Sequence, residues 1–219
     1  MLADNLQAII NELPSEVKLV AVSKFHPVES ILEAYEAGQR VFGESRPQEF
    51  ASKVETIGKT DIEWHFIGHL QTNKLKMVLP YASMVESVDS IHLLQEIDKW
   101  GRENNKNVDV LLELHIGAEE TKQGFHEEDI LDILFNADKY SGIRFRGLMG
   151  MASNTEDESV VNADFQRIDS FMAYLVDLFP EQKDFNQLSI GMSGDWRIAI
   201  KNGATIVRIG SAIFGQRGV

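Results

Sequence analysis

The 219 residues carry 34 acidic against 21 basic side chains, a formal net charge of −13, and 43% of them are hydrophobic. A chain of this size and composition can bury one substantial core, and its negative field repels phosphate backbones and anionic lipid at long range. Nucleic acid and membrane surfaces are therefore poor partners. With no cysteine present, disulfides, thiolate nucleophiles, iron–sulfur clusters and thiolate zinc sites are excluded.

The opening stretch, MLADNLQAIINELP, mixes acids and amides into a helical pattern and lacks the basic and apolar regions of a secretory signal. No apolar run approaches the about 20 residues needed to cross a bilayer. A cytoplasmic location follows as the expectation. After this extra N-terminal helix, residues 17–23 (VKLVAVS) read as a buried strand, and residues 27–38 (PVESILEAYEAG) as a helix with proline at its start. The alternation continues through RVFGES and RPQEFASKVETIG, IEWHFIG and QTNKLKMVLP, SMVESVD and IHLLQEIDKWGREN, then VDVLLELHI and HEEDILDILFNAD. IRFRGLMGM precedes a long helix from Ser159 to Phe179, whose Phe165, Ile168, Phe171, Met172, Leu175 and Phe179 form an apolar stripe suited to covering a sheet. LSIGMS with GDWRIAIKNG, and TIVRIGS with the short AIFGQ, complete the series. Strands alternating with helices in this number predict an α/β fold: a single closed (β/α)8 TIM-type barrel domain spanning residues 1–219. The softest segments, residues 117–124 and 152–159, follow strands five and six, where a barrel carries its active-face loops.

Active sites of such barrels sit at the C-terminal ends of the strands. Lys24 ends the first apolar run and precedes Phe25, which places its amine at the barrel mouth. Partial desolvation there disfavours the ammonium, the route by which a lysine becomes nucleophilic enough to form a Schiff base. After strand seven comes Gly191-Met192-Ser193-Gly194-Asp195, in which Ser193 or Asp195 can cap the next helix, and after strand eight comes Gly210-Ser211. Two small, donor-rich turns in the loops where barrels often hold phosphate make a plausible anion cradle. Arg208, inside the last apolar strand, requires a specific partner, with Glu44 and Glu113 as the carboxylates at hand. The six histidines show no tight ligand constellation, so no metal is implied; His65 and His69 are four apart but straddle a strand end.

Four motifs in order, AVSKFHP, WHFIGHLQTNK, LSIGMSGD and VRIGSAIFG, make the chain resemble the YggS/PROSC family of pyridoxal phosphate homeostasis proteins from Leu19 to Gly215. That family is in turn similar to the N-terminal barrel of alanine racemase, fold type III of pyridoxal 5′-phosphate (PLP) proteins. The resemblance implies that Lys24 forms a Schiff base with the C4′ aldehyde of PLP, that Ser193, Gly210 and Ser211 bind its phosphate, and that Arg208 faces the pyridine nitrogen. His65 and Asn73 match family stretches without an assigned role. Where many relatives read FGEN, this chain has FGES, so a pocket role resting on that asparagine falls to Ser45 or is absent.

A guanidinium cannot accept a proton, so a ring nitrogen facing it stays neutral and the cofactor becomes a weaker electron sink. Alanine racemase adds a tyrosine from a second domain. Here the sequence ends soon after the eighth strand, and Tyr35, Tyr81, Tyr140 and Tyr174 all fall on or beside outer helices. The reading is a PLP carrier or buffer with no catalytic residues, monomeric or weakly dimeric, that hands PLP to client enzymes or releases it. Two alternatives stand beside it: a single-domain PLP-dependent amino-acid racemase or related enzyme, and a Schiff-base lyase on sugar phosphates.

Overall fold

The computed structural model describes residues 2–117 and 123–215. Eight strands, β1 (Lys18–Val22), β2 (Val41–Glu44), β3 (Glu63–Phe66), β4 (Met84–Val88), β5 (Val108–Glu113), β6 (Ile143–Met149), β7 (Gln187–Ser189) and β8 (Ile206–Ile209), pair in sequence order into a closed barrel. Each strand is parallel to its neighbours, and β8 returns to β1 with Val20 opposite Arg208. The helices are α1 (Leu2–Glu12), α2 (Val28–Glu36), α3 (Pro47–Ile57), α4 (Leu75–Val78), α5 (Ile91–Glu103), α6 (Glu127–Phe135), α7 (Glu158–Leu178), α8 (Trp196–Lys201) and α9 (Ser211–Phe214). The extra helix α1 lies against α9, where the Asn5 side chain donates to the Ile213 carbonyl at 3.2 Å.

Helices form where the chain caps them and where one face is apolar. Pro47 occupies the first turn of α3, the Ser90 hydroxyl accepts from Leu93 N–H at the start of α5, and Asp157 accepts from Ser159 N–H at the start of α7. On α7 the stripe of Phe165, Ile168, Phe171, Met172 and Leu175 is buried as its spacing predicts, and Phe179 just beyond it is buried too. Each such side chain contributes about 1.5–3 kcal/mol on burial. Two boundaries differ from expectation. Residues 71–80 form a 3-10 turn (Thr72–Lys74) and then only the short α4: Leu79 keeps helical angles, but Pro80 has no N–H with which to continue the helix. β1 ends at Val22, so Ser23 and Lys24 already belong to the loop. Of the loop at residues 117–124, positions 118–122 lie outside the described residues. Among the described residues, no helix is long and apolar enough to cross a membrane.

Candidate functional site

Strand side chains alternate between the barrel interior and the helix layer. Val20, Met84, Leu111, Met149 and Ile206 form a small apolar cluster distinct from the large core between sheet and helices, and they fill the inside of the barrel. Two residues further along their strands, the inward positions are Val22, Glu86, Glu113 and Arg208. The interior thus changes from apolar to charged toward the C-terminal ends of the strands.

Arg208 is 4% exposed and is held from three sides. Its guanidinium donates to the Ser189 carbonyl (2.8 Å), the Ser189 hydroxyl (2.5 Å) and the Gly150 carbonyl (3.0 Å), and Nη1 lies 3.7 Å from Glu86 Oε2. Glu86 also accepts from the Ser189 hydroxyl at 2.6 Å and pairs with His65 Nδ1 at 2.5 Å. Burial pushes the Glu86 carboxyl up, but His65, Arg208 and Ser189 outweigh it and hold the group below the ordinary carboxylate range. The partner of Arg208 is therefore Glu86 and neither of the carboxylates expected from sequence. Glu44 follows Gly43, whose missing side chain faces Val20 inside the barrel, so Glu44 points the other way, to Lys53 at 2.7 Å. Glu113 does point inward, but no hydrogen bond or ion pair joins it to Arg208. The role of His65 is the one a buried strand histidine most often has: it satisfies a neighbour.

At the mouth lies a cavity of about 290 Å³ lined by Val22, Lys24, His26, Ile67, Met151, Met192, Ser193, Gly194, Arg208, Gly210, Ser211 and Gly215. All five residues singled out in the sequence, Lys24, Ser193, Arg208, Gly210 and Ser211, share it, because β1, β7 and β8 are neighbours where the barrel closes. Ser193 and Asp195 do not cap α8 with their side chains as expected. Asp195 accepts from Met192 N–H instead, and Ser193 Oγ accepts from Gly210 N–H (3.2 Å) and Ala212 N–H (3.4 Å), which ties the two loops together. With both acceptor sites of Ser193 occupied, its O–H is the part left to donate.

This rim suits a phosphate. Among the described residues, the N–H groups of Gly194 and Ser211 have no acceptor, and both residues face the cavity. At Gly194 the absent side chain leaves open space in which an anion could approach the main chain, whereas a Cβ at Gly210 would come within 3.1 Å of the Val22 carbonyl, so glycine there serves the close packing of this turn on β1. Lys24, half-buried, lines the same cavity just beyond the end of β1, and Arg208 lines it from β8.

Sequence reading missed Met151, Met192, Ile67 and His26 in the lining, since loop methionines and a half-buried isoleucine carry no chemical signal. Ser45 and Asn73 do not line the cavity, and no tyrosine does among the described residues. Beside it, Asp89 pairs with His69 (2.8 Å), and Glu113 is 4% exposed. Burial and the nearby Asp89 carboxylate push the Glu113 carboxyl up to about 7.

Comparison with known proteins agrees with this architecture. Residues 1–218 match the family described as "Alanine racemase, N-terminal domain". The chain is 39% identical over 204 residues to the pyridoxal phosphate homeostasis protein of Aquifex aeolicus, covering 91% of this chain and 87% of the relative. It is 38% identical over 219 residues to the human protein of the same name, covering 94% of this chain and 79% of the relative. Among solved structures, PipY of Synechococcus elongatus superposes with a TM-score of 0.93 without PLP, at 35% identity, and 0.90 with PLP bound, at 34% identity. Each comparison covers 98% of this chain and 100% of PipY. With its barrel, its cavity and this degree of likeness, the chain belongs to the family of pyridoxal phosphate homeostasis proteins, within the alanine racemase N-terminal domain fold.

Proposed function

We propose that the protein binds PLP in the mouth of its barrel, covalently through Lys24, and serves inside the cell as a carrier or buffer that yields PLP to client enzymes with little or no turnover of its own. The observation that carries this reading is the meeting of a primary amine, a buried guanidinium and a donor-rich glycine–serine rim in one cavity. PLP supplies an aldehyde, which condenses with a primary amine as C=N forms and the carbonyl oxygen leaves as water, and a phosphate dianion. The Ser193 hydroxyl and the N–H groups of Gly194 and Ser211 grip the anionic end, while Gly210, whose N–H is engaged by Ser193 Oγ, shapes the rim rather than donating to it. Arg208, its other donors engaged with Ser189 and Gly150, presents a group to the ring nitrogen that donates and cannot accept. Such a partner leaves the ring a weak electron sink, and among the described residues no tyrosine is at hand as a second acid or base. The names of the relatives and the PLP-bound form of PipY support the same ligand.

Purified protein titrated with PLP is expected to turn yellow, and borohydride reduction is expected to fix the label on the peptide containing Lys24. Lys24→Ala loses both. A protein that stays colourless in excess PLP overturns the reading. Incubation with single amino-acid enantiomers in deuterated water separates carrier from racemase, since the carrier shows negligible exchange at Cα.

A further inference from the structure

We propose that Lys53, Glu44 and Glu49 are positioning residues for Lys24: a buried ion triad that clamps the turn carrying the amine and thereby sets how readily that amine captures an aldehyde. The inference rests on the covalent reading above and adds three residues to it. Lys53, on α3 and 5% exposed, donates to Glu44 Oε1 (2.7 Å), Glu49 Oε1 (2.6 Å) and the Ser23 carbonyl (2.8 Å). All three N–H bonds of its ammonium are thus used. The carboxylates in turn hold the same turn: the Ser23 hydroxyl donates to Glu44 Oε1 at 2.6 Å, and Phe25 N–H donates to Glu49 Oε1 at 2.7 Å. The residue before Lys24 and the residue after it are both tied to one ionic cluster.

That turn needs holding. Phe25 has φ of 68°, in the left-handed region that a bulky side chain avoids, and such a conformation persists only where the surroundings determine it. The Arg46 guanidinium, 4.1 Å over the Phe25 ring, adds a second hold from outside. Stability alone is a poor account of the triad. Buried ion pairs are commonly matched or bettered by apolar side chains of the same volume, and Glu44 Oε2 is buried with no hydrogen-bond partner among the described residues. What the ionic cluster supplies, and an apolar one does not, is directional bonds to Ser23 and Phe25. With the anionic end of the ligand fixed by the turns at Ser193 and Ser211, the reaction of Lys24 becomes effectively intramolecular, and its advantage depends on how narrowly the amine is confined.

The test compares PLP with 4′-deoxypyridoxine 5′-phosphate, which keeps ring and phosphate but has no aldehyde, in the wild type, Lys53→Met and Glu49→Gln. The ratio of the two affinities isolates the covalent gain. Both variants are expected to lower that ratio about tenfold while leaving affinity for the deoxy compound within about twofold, and to slow borohydride-fixable labelling of Lys24. Binding of the deoxy compound reports that the barrel is folded. If Lys53→Met fails to fold, Glu49→Gln, altered at a side chain 21% exposed, decides alone. A ratio unchanged from wild type overturns the proposal, and so does a parallel loss of both affinities, which is what simple support of the fold produces. A wild-type ratio near one with no label on Lys24 overturns the covalent reading itself.

Discussion

Glu86 and Arg208 face each other inside the barrel, 3.7 Å from Oε2 to Nη1, with the Ser189 hydroxyl bonded to both. Neither side chain meets bulk water, so each is the condition for burying the other. Replacing one member of a buried pair strands its partner, at a cost of about 3–5 kcal/mol. Glu86→Gln, which keeps the shape and loses the charge, is expected to lower the unfolding free energy by about 3 kcal/mol, measured by urea denaturation. A change below about 0.5 kcal/mol would show that the guanidinium finds its compensation elsewhere.

Ser193→Ala tests the rim. The substitution removes the one donor whose oxygen also joins the two loops, and hydrogen bonds to a charged group contribute about 1.5–3 kcal/mol, a factor of ten or more in affinity. PLP and its deoxy analogue share the phosphate, so both are expected to weaken alike, and inorganic phosphate should compete less well for the variant. Isothermal titration of the three ligands checks this. Unchanged affinity for all of them would place the anion elsewhere.

The barrel was legible because each β/α unit is punctuated: an apolar run, a polar loop, then a capped amphipathic helix. The cavity was legible for a related reason. Lys24, Ser193 and Arg208 are chemically conspicuous residues at strand ends, and the strands concerned adjoin where the barrel closes. Pairings were not. Glu44 and Glu86 are both carboxylates within short apolar strands, and only the parity of each position, fixed here by Gly43 inside on β2 and Met84 inside on β4, says which one meets Arg208. Lys53 and Glu49 were beyond reach altogether, since an i,i+4 acid–base pair on a helix reads as a solvated face until the fold brings the Ser23–Phe25 turn down on it.

Gly147 is the position where backbone geometry leaves least freedom. The β5–β6 register slips between Val110 and Leu111, so that Phe145 and Gly147 take consecutive partners and Arg146 is the extra residue of a bulge. Gly147 itself has φ of 145°, and a Cβ there would lie 1.8 Å from the Gln187 carbonyl on β7. Gly147→Ala is expected to destabilise by more than about 4 kcal/mol, because neither a strand carbonyl nor the φ angle can yield cheaply. Soluble yield and thermal melting check it, and a variant that melts within a few degrees of wild type would contradict it.

Glu113 makes stability depend on pH in a direction opposite to that of most carboxylates. Burial and the Asp89 carboxylate raise its pKa from 4.5 to about 7, against the weaker pull of Arg208 and His69. Between those values the folded protein holds a proton that the unfolded chain releases, so stability falls as pH rises. The contribution is complete below pH 4.5, and it disappears as pH passes about 7, amounting to about 3 kcal/mol in all. Glu113→Gln removes this titration and leaves every other group in place. The difference in unfolding free energy between wild type and variant is therefore expected to move against the wild type by up to about 3 kcal/mol from about pH 5 to about pH 8. Urea unfolding of both proteins at intervals across that range measures it. A flat difference would mean that Glu113 ionises as an ordinary carboxylate, and that the mouth of the barrel is wetter than its packing indicates.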